Sequence, residues 1–340
     1  MKLVKTTEAV GQVLCHDLTR IIKDVEKGPA FKKGHIITGE DIPVLLNMGK
    51  ENIYIWEVDE GMLHENDAAL ILYELCGSEQ MHPTEVSEGK VEVIADIDGL
   101  LKVDTEKLNA VNSLGEMMIA SRHGNFAVKK GDKIAGTRII PLCIEKEKME
   151  RAKEAASGGG IFKILPFNKR RAGIVTTGSE VFHHRIEDTF TPVIISKLRE
   201  FDTEIAGQEF SPDDAETTVK GIENLIEKGA DMIICTGGMS VDPDDRTPLA
   251  IRQAADPGRV ITYGAPVLPG AMFMLAYKGD IPIMGLPGCV MYSRRTIFDL
   301  VLPRIMAGEI LKKEDFDLLG EGGLCLNCEK CTFPNCGFGK

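Results

Sequence analysis

Two sets of side chains in this 340-residue sequence have types and spacings suited to chemistry: clustered thiols, and glycine loops carrying hydroxyls and carboxylates. Four of the nine cysteines crowd into the last sixteen residues, as Cys325-x2-Cys328-x2-Cys331-x4-Cys336. A Cys-x2-Cys turn folds back so that two sulfurs can face one metal, and four thiolates suit zinc or an iron–sulfur cluster. Three glycine loops form the second set: Thr176-Thr177-Gly178-Ser179-Glu180, Thr236-Gly237-Gly238-Met239-Ser240 and Gly285-Leu286-Pro287-Gly288. Glycine lets a backbone approach a ligand closely, Thr and Ser add donors, and a following helix offers free N–H groups to an anion. Asp188 lies eight residues past Glu180, and Asp242, Asp244 and Asp245 follow the second loop. Carboxylates beside a phosphate site are electrostatically wrong unless a metal bridges them or they orient a reacting group. Taken locally, Asp242-Pro243-Asp244-Asp245 is also ordinary turn chemistry.

Such residues need elements to hold them, and composition bounds what these are. Hydrophobic content of 43% and charged content of 27% are those of a globular chain, and the length suggests two or three domains. The 52 acidic residues against 40 basic give a formal charge of -12, without the basic footprint of nucleic-acid binding. Aromatics are only 6%, with Trp56 the single tryptophan, which disfavours a base-stacking platform. The opening MKLVKTTEAVGQV has no signal-peptide core, and no run approaches the roughly 18 apolar residues of a membrane span. A cytoplasmic protein is expected. Cys15, Cys76, Cys143, Cys235 and Cys289 are scattered and read as buried thiols.

Arg151 to Gly160, RAKEAASGGG, reads as the start of a linker over 151–169. Before it, 1–84 reads as an α+β segment. There, Phe31 to Trp56 gives strand, helix capped by Thr38, and the strand IYIW. Residues 85–150 read as β-rich, with hairpins at Asp98-Gly99 and at Lys130-Gly131-Asp132. This piece resembles the barrel-sandwich of lipoyl and biotinyl domains, but no modifiable lysine is recognisable at a hairpin tip, so only a β-rich shape is implied. Residues 170–309 alternate strands (AGIVT, DMIIC, IPIMG) with helices, one opened by Ser211 and a last one over Met291 to Met306. The fold class expected there is α/β, with a mainly parallel sheet covered on both faces. Ligands of such sheets collect at the carboxyl ends of the strands, where the three loops fall. Residues 310–340 form the tail with the cysteines.

TTGSEV, then Asp188, ADMIICTGGMSVDPDDRTP, VLPGAMF and GLPGCVMYS are similar, in order and interval, to the molybdopterin-binding domain family. That family includes the molybdopterin adenylyltransferases and the molybdenum insertases. The likeness covers about residues 170–307, and FKKGHIITGEDIPVLLNMGKENIYIW resembles the insertase segment preceding that domain. The resemblance implies a three-layer α/β domain holding the pterin and its phosphate. Thr177, Gly178, Ser179 and Glu180 match the family's TGDEL-type loop, and Asp188 the acidic residue that helps orient a metal-assisted phosphoryl step. Gly237, Gly238 and Ser240 match an insertase-like loop, beside Asp242. Asp245, Thr247 and Pro248 match an adenylyltransferase element, with Arg246 suited to a phosphate contact. Gly285, Leu286, Pro287 and Gly288 match the LPG loop. Three positions depart from the pattern: Phe190 stands where Asn is usual, Ala271 replaces a lysine, and Cys289 follows the LPG loop.

What the resemblance implies for function is molybdopterin binding in molybdenum-cofactor biosynthesis, with Asp188 and Asp245 as the catalytic pair if molybdate is inserted into the free or adenylated pterin. A carrier or sensor using the same pocket is the alternative. Magnesium near the carboxylates, a homodimer or trimer, and contacts with other cofactor-synthesis proteins or molybdoenzymes are further expectations. His183-His184-Arg185, and Arg294 or Arg295, are candidate anion contacts or surface groups. At the tail, the three cysteines at two-residue gaps resemble the cluster loop of bacterial-type ferredoxins, although the fourth follows at x4 and Pro334 precedes it. Zinc or an iron–sulfur cluster is expected at Cys325, Cys328, Cys331 and Cys336. A nucleotide-dependent α/β enzyme is disfavoured, since neither a G-x-x-x-x-G-K-[ST] loop nor a helix-opening G-x-G-x-x-G occurs.

Overall fold

Apolar β-branched runs and amphipathic helices sort the chain into two units in the computed structural model, which describes residues 2–22, 26–55, 60–77, 79–156 and 160–340. The first unit comprises 1–96, 103–122 and 130–163, and the second 97–102, 123–129 and 164–340. Within the first, a helix over Asp41–Asn47 and a strand over Asn52–Ile55 match the expected helix and strand. Trp56 lies outside the described residues. Thr38 meets that helix as a donor, its N and Oγ1 both reaching Asp41 Oδ2 at 2.8 Å, so it does not cap the helix as expected.

Neither expected hairpin forms. The strand Lys90–Ala95 pairs with Lys133–Ile139, whereas Gly99–Val103 pairs with Phe126–Val128. At both turn signals the chain passes from one sheet to another, because distant pairing prevails over the local Asp-Gly and Gly-Asp cues. The expected linker also differs. Its first residues, 151–155, end a helix over Lys146–Ala155, and Phe162–Pro166 is a strand. KEKMERAKEA is built from strong helix formers and buries Met149 and Ala152, which outweighs the small residues that follow. Residues 157–159 lie outside the described residues.

The second unit carries a six-stranded sheet: β1 (Arg171–Thr177), β2 (Glu204–Ser211), β3 (Met232–Thr236), β4 (Val260–Tyr263), β5 (Met274–Lys278) and β6 (Ile281–Leu286). Its spatial order is β2-β1-β3-β6-β5-β4. The first four run parallel, and β5 and β4 add an antiparallel edge. Helices α1 (Ser179–Phe182), α2 (Phe190–Arg199), α3 (Ala215–Glu227), α4 (Thr247–Ala254), α5 (Ile297–Met306) and α6 (Lys313–Asp317) accompany it.

Side chains alternate between the two faces along each strand. Ile174 and Ile234 join Ile194 and Leu198 of α2 and Phe298 and Leu302 of α5 in one cluster. Val175, Ile233 and Cys235 join Ile222 and Leu225 of α3 and Ile251 of α4 in the other. Two apolar layers on opposite faces make this a three-layer α/β domain, as expected. Two helix starts shift from expectation. Asp214, not Ser211, caps α3 by accepting from Thr217 N at 2.8 Å, and Ser211 ends β2. The chain after Gly288 first makes a 3₁₀ turn over Gly288–Met291, and α5 begins only after Thr296, where Asp299 and Thr296 form a capping box.

Candidate functional site

Three neighbouring parallel strands, β1, β3 and β6, end at Thr177, Thr236 and Leu286, so the three glycine loops leave the sheet side by side. The loops touch. A Cβ on Gly237 would lie 2.2 Å from Thr177 O, and the residue has φ +84°, so only glycine fits where the second loop crosses the first. Gly285 lies against the second loop as well: a Cβ there would sit 2.6 Å from Met239 Sδ, the flexible end of that side chain. Thr177, 5% exposed, is bonded through Oγ1 to Thr236 O at 3.1 Å and to Thr247 Oγ1 at 2.9 Å, which ties the first loop to the start of α4. Among the described residues, Thr236 Oγ1 is one of two buried side-chain polar atoms without a hydrogen-bond partner, a desolvated hydroxyl at the base of the second loop. Around this base, Glu180, Ser240, Asp242, Arg246 and Gly288 are exposed, and Gly238 and Asp245 are half-buried.

The carboxylates brace the loops. Asp188 Oδ1 accepts from the amides of Phe190 and Thr191 at 2.9 and 3.1 Å, at the start of α2. Its Oδ2 accepts from Gln208 Nε2 at 2.7 Å and from Thr176 Oγ1 at 3.3 Å. Burial alone raises this carboxyl, but the hydrogen bonds from Thr191, Gln208 and Phe190 override it and hold it below the usual range. With both oxygens engaged, Asp188 ties the start of α2 to β1 and β2. Asp245 Oδ2 accepts from Ser240 N at 2.7 Å and folds the acidic segment back on the second loop. Among the described residues no group of three or more His, Cys, Asp or Glu side chains is arranged to hold a metal ion.

Two residues that the sequence reading did not connect with the site support it. Asp213 Oδ2 accepts from Ser179 N at 2.9 Å, and Gln208 Nε2 also reaches Thr191 Oγ1 at 2.9 Å. Asp213 lies 34 residues from Ser179 in the sequence. Gln208 sits in β2, a strand whose polar composition gave no alternating pattern. Of the basic candidates, His183, His184 and Arg185 are exposed. Arg295 is held by Asp299 Oδ1 at 2.8 Å and lies 4.9 Å from the Phe333 ring centroid, while Arg294 Nη1 donates to Glu329 O at 2.7 Å. Both arginines thus belong to the packing of the tail.

A parallel sheet covered on both faces, with glycine loops gathered at its carboxyl edge, defines an α/β domain whose loops lie where such sheets collect their ligands. Residues 173–307 match the family described as "Probable molybdopterin binding domain". Residues 3–57 match a family described as "Domain of unknown function (DUF8806)". CinA-like proteins of Mycobacterium avium (strain 104) and of Mycobacterium tuberculosis (strain ATCC 25618 / H37Rv) are 35% identical over 77 residues, 23% of this chain and 18% of each relative. The chain thus matches less than a fifth of the length of these curated relatives. Among solved structures, the molybdopterin biosynthesis enzyme MoaB of Thermus thermophilus is 26% identical, covering 42% of this chain and 99% of that one at a TM-score of 0.36. The tungsten cofactor synthesizing protein MoaB of Pyrococcus furiosus is 19% identical, covering 36% and 84%, at a TM-score of 0.31.

Proposed function

We propose that residues 170–309 bind molybdopterin, with its phosphate on the three glycine loops, and that the protein serves molybdenum-cofactor biosynthesis. The observation that carries this reading is the interlocking of the loops at the ends of β1, β3 and β6, through Gly237 on Thr177 and Met239 on Gly285. Backbone amides fixed in this way meet a phosphate with little reorganisation. Thr177, Gly178, Ser179, Gly237, Gly238, Ser240, Thr247, Pro287 and Gly288 form the cradle, and Arg246 supplies a charge-assisted contact. Glu180, Asp242 and Asp245 shape its rim.

A second reading, a carrier or sensor without turnover, is favoured by two features of the chain. Ala271 stands where the related insertases place a lysine, and both oxygens of Asp188 are engaged internally. Calorimetry of the full chain with molybdopterin and with its adenylated form tests binding. Micromolar or tighter affinity is expected, weakened at least tenfold by Asp245→Ala, which releases Ser240 N, and by Gly238→Val, whose side chain meets Thr247 Oγ1. No heat with either pterin rules the reading out. Incubation with molybdate then separates the two forms of the proposal: molybdenum incorporated into the pterin marks an insertase, and binding without incorporation marks a carrier.

A further inference from the structure

The cysteines at the C-terminus belong to a folded segment of the second unit. Its start pairs with the loop before Pro269: Leu268 N donates to Gly323 O and Cys325 N to Leu268 O, each at 2.8 Å. Its end is anchored by Phe338, which is 4% exposed, and by Gly339 N on Gly322 O at 2.9 Å. Between these anchors, Arg294 holds Glu329 O and Phe333 packs 5.8 Å from Phe126 and 6.1 Å from Phe338. All four thiols, Cys325, Cys328, Cys331 and Cys336, line one cavity of about 640 Å³ together with Arg294 and Arg295. Cys325 and Cys336 are half-buried, and Cys328 and Cys331, on either side of the pinned Glu329, are exposed.

We propose that these four cysteines ligate an iron–sulfur cluster in this cavity. Four thiols on the wall of a single cavity are the donor set of such a cluster, and three of them follow one another at the two-residue gaps that cluster loops use. A lone zinc ion demands four sulfurs at about 2.3 Å from one point, whereas a cluster offers a separate iron to each thiol. The cavity of about 640 Å³ leaves room for a polynuclear centre beside the thiols. The charge also matches. Thiolate-bound clusters are anionic, and Arg294 makes no ion pair among the described residues, so its charge is available to the cavity. Ligation is an exchange without electron transfer. Each cysteine thiol replaces one small thiolate on a preformed cluster, a sulfur–iron bond forms as another breaks, and the departing thiolate takes the cysteine proton. Both thiols exposed to solvent turn inward as they bind, so the loop from Cys325 to Cys336 tightens.

The proposal is independent of pterin binding, and failure of either leaves the other standing. Its test is anaerobic exchange of a preassembled 2-mercaptoethanol-ligated iron–sulfur cluster into the full metal-free chain, with Zn2+ offered separately. The expected result is equal iron and sulfide retained after desalting, a sulfur-to-iron charge-transfer absorption, and a paramagnetic signal on dithionite reduction. Cys328→Ser with Cys331→Ser alters only exposed side chains and is expected to keep the melting temperature while lowering retained iron at least tenfold. Cys289→Ser, outside the cavity lining, is expected to retain it. Stoichiometric zinc without iron and sulfide, no metal at all, or unchanged iron in the double variant would each overturn the assignment.

Discussion

Both oxygens of Asp188 accept hydrogen bonds from within the protein. Its four donors are Phe190 N, Thr191 N, Gln208 Nε2 and Thr176 Oγ1, and they come from three elements that meet only after folding. Because its pKa lies below the ordinary value of about 3.9, the stability it contributes is present above that value and is lost as pH falls through the lowered one. Asp188→Asn puts an NH₂ group against one set of donors. The expected cost is about 1–2 kcal/mol at neutral pH, the lower part of the range for bonds to a charged group because the site is partly solvent-screened. Urea midpoints measured at neutral pH and in the acid range are expected to converge for wild type and variant as the native carboxyl protonates. A gap that stays constant down to acid unfolding would show that this charge does not brace the loop.

At the scale of elements, legibility follows the range of the interactions. β1, β3 and β6 are buried parallel strands, so their apolar runs AGIVT, DMIIC and IPIMG were readable, and so were the loops at their ends. Helix α3 was readable from Ile222, Leu225 and Ile226 at helical spacing, although its cap proved to be Asp214. β4 and β5 were not readable, since VITY and MLAYK are short and their pairing depends on β6. The same limit explains the failed hairpins and the hidden roles of Gln208 and Asp213, whose partners lie 17 to 34 residues away. The tail was hardest to read, because Phe333 and Phe338 are isolated among Cys, Gly and Pro, and Phe333, with Phe338 against it, packs on Phe126, more than 200 residues earlier. Phe338→Ala removes a ring only 4% exposed and is expected to cost about 3 kcal/mol or more in urea unfolding, as buried Phe-to-Ala changes do. A loss under about 1 kcal/mol would mean that the tail packs loosely and that the cavity it encloses is not preformed.

For the whole molecule, the consequence is that the boundary between units does not follow the order of the chain. The second unit takes in 97–102 and 123–129, so a cut in the small-residue stretch before Gly160 removes part of its core. Phe126, 7% exposed, packs against Phe333, lies 5.4 Å beneath Lys340 Nζ, and belongs to the same apolar cluster as Leu300, Phe316 and Phe338. Leu100 and Leu101 are fully buried, and the Gly99 backbone approaches Leu165 so closely that a Cβ would lie 2.5 Å from its carbonyl oxygen. A chain beginning at Ile164 keeps every residue of the glycine loops and of the cysteine segment but loses these partners. It is therefore expected to melt at least several degrees below the matching transition of the full chain, since burial of one Phe alone is worth about 1.5–3 kcal/mol. It is also expected to expose apolar surface that binds a hydrophobic dye. Scanning calorimetry of both chains at one concentration measures this directly. Equal transitions would show that 97–102 and 123–129 lie against the second unit without supporting it, and that the cysteine cavity and the glycine loops are held by 164–340 alone.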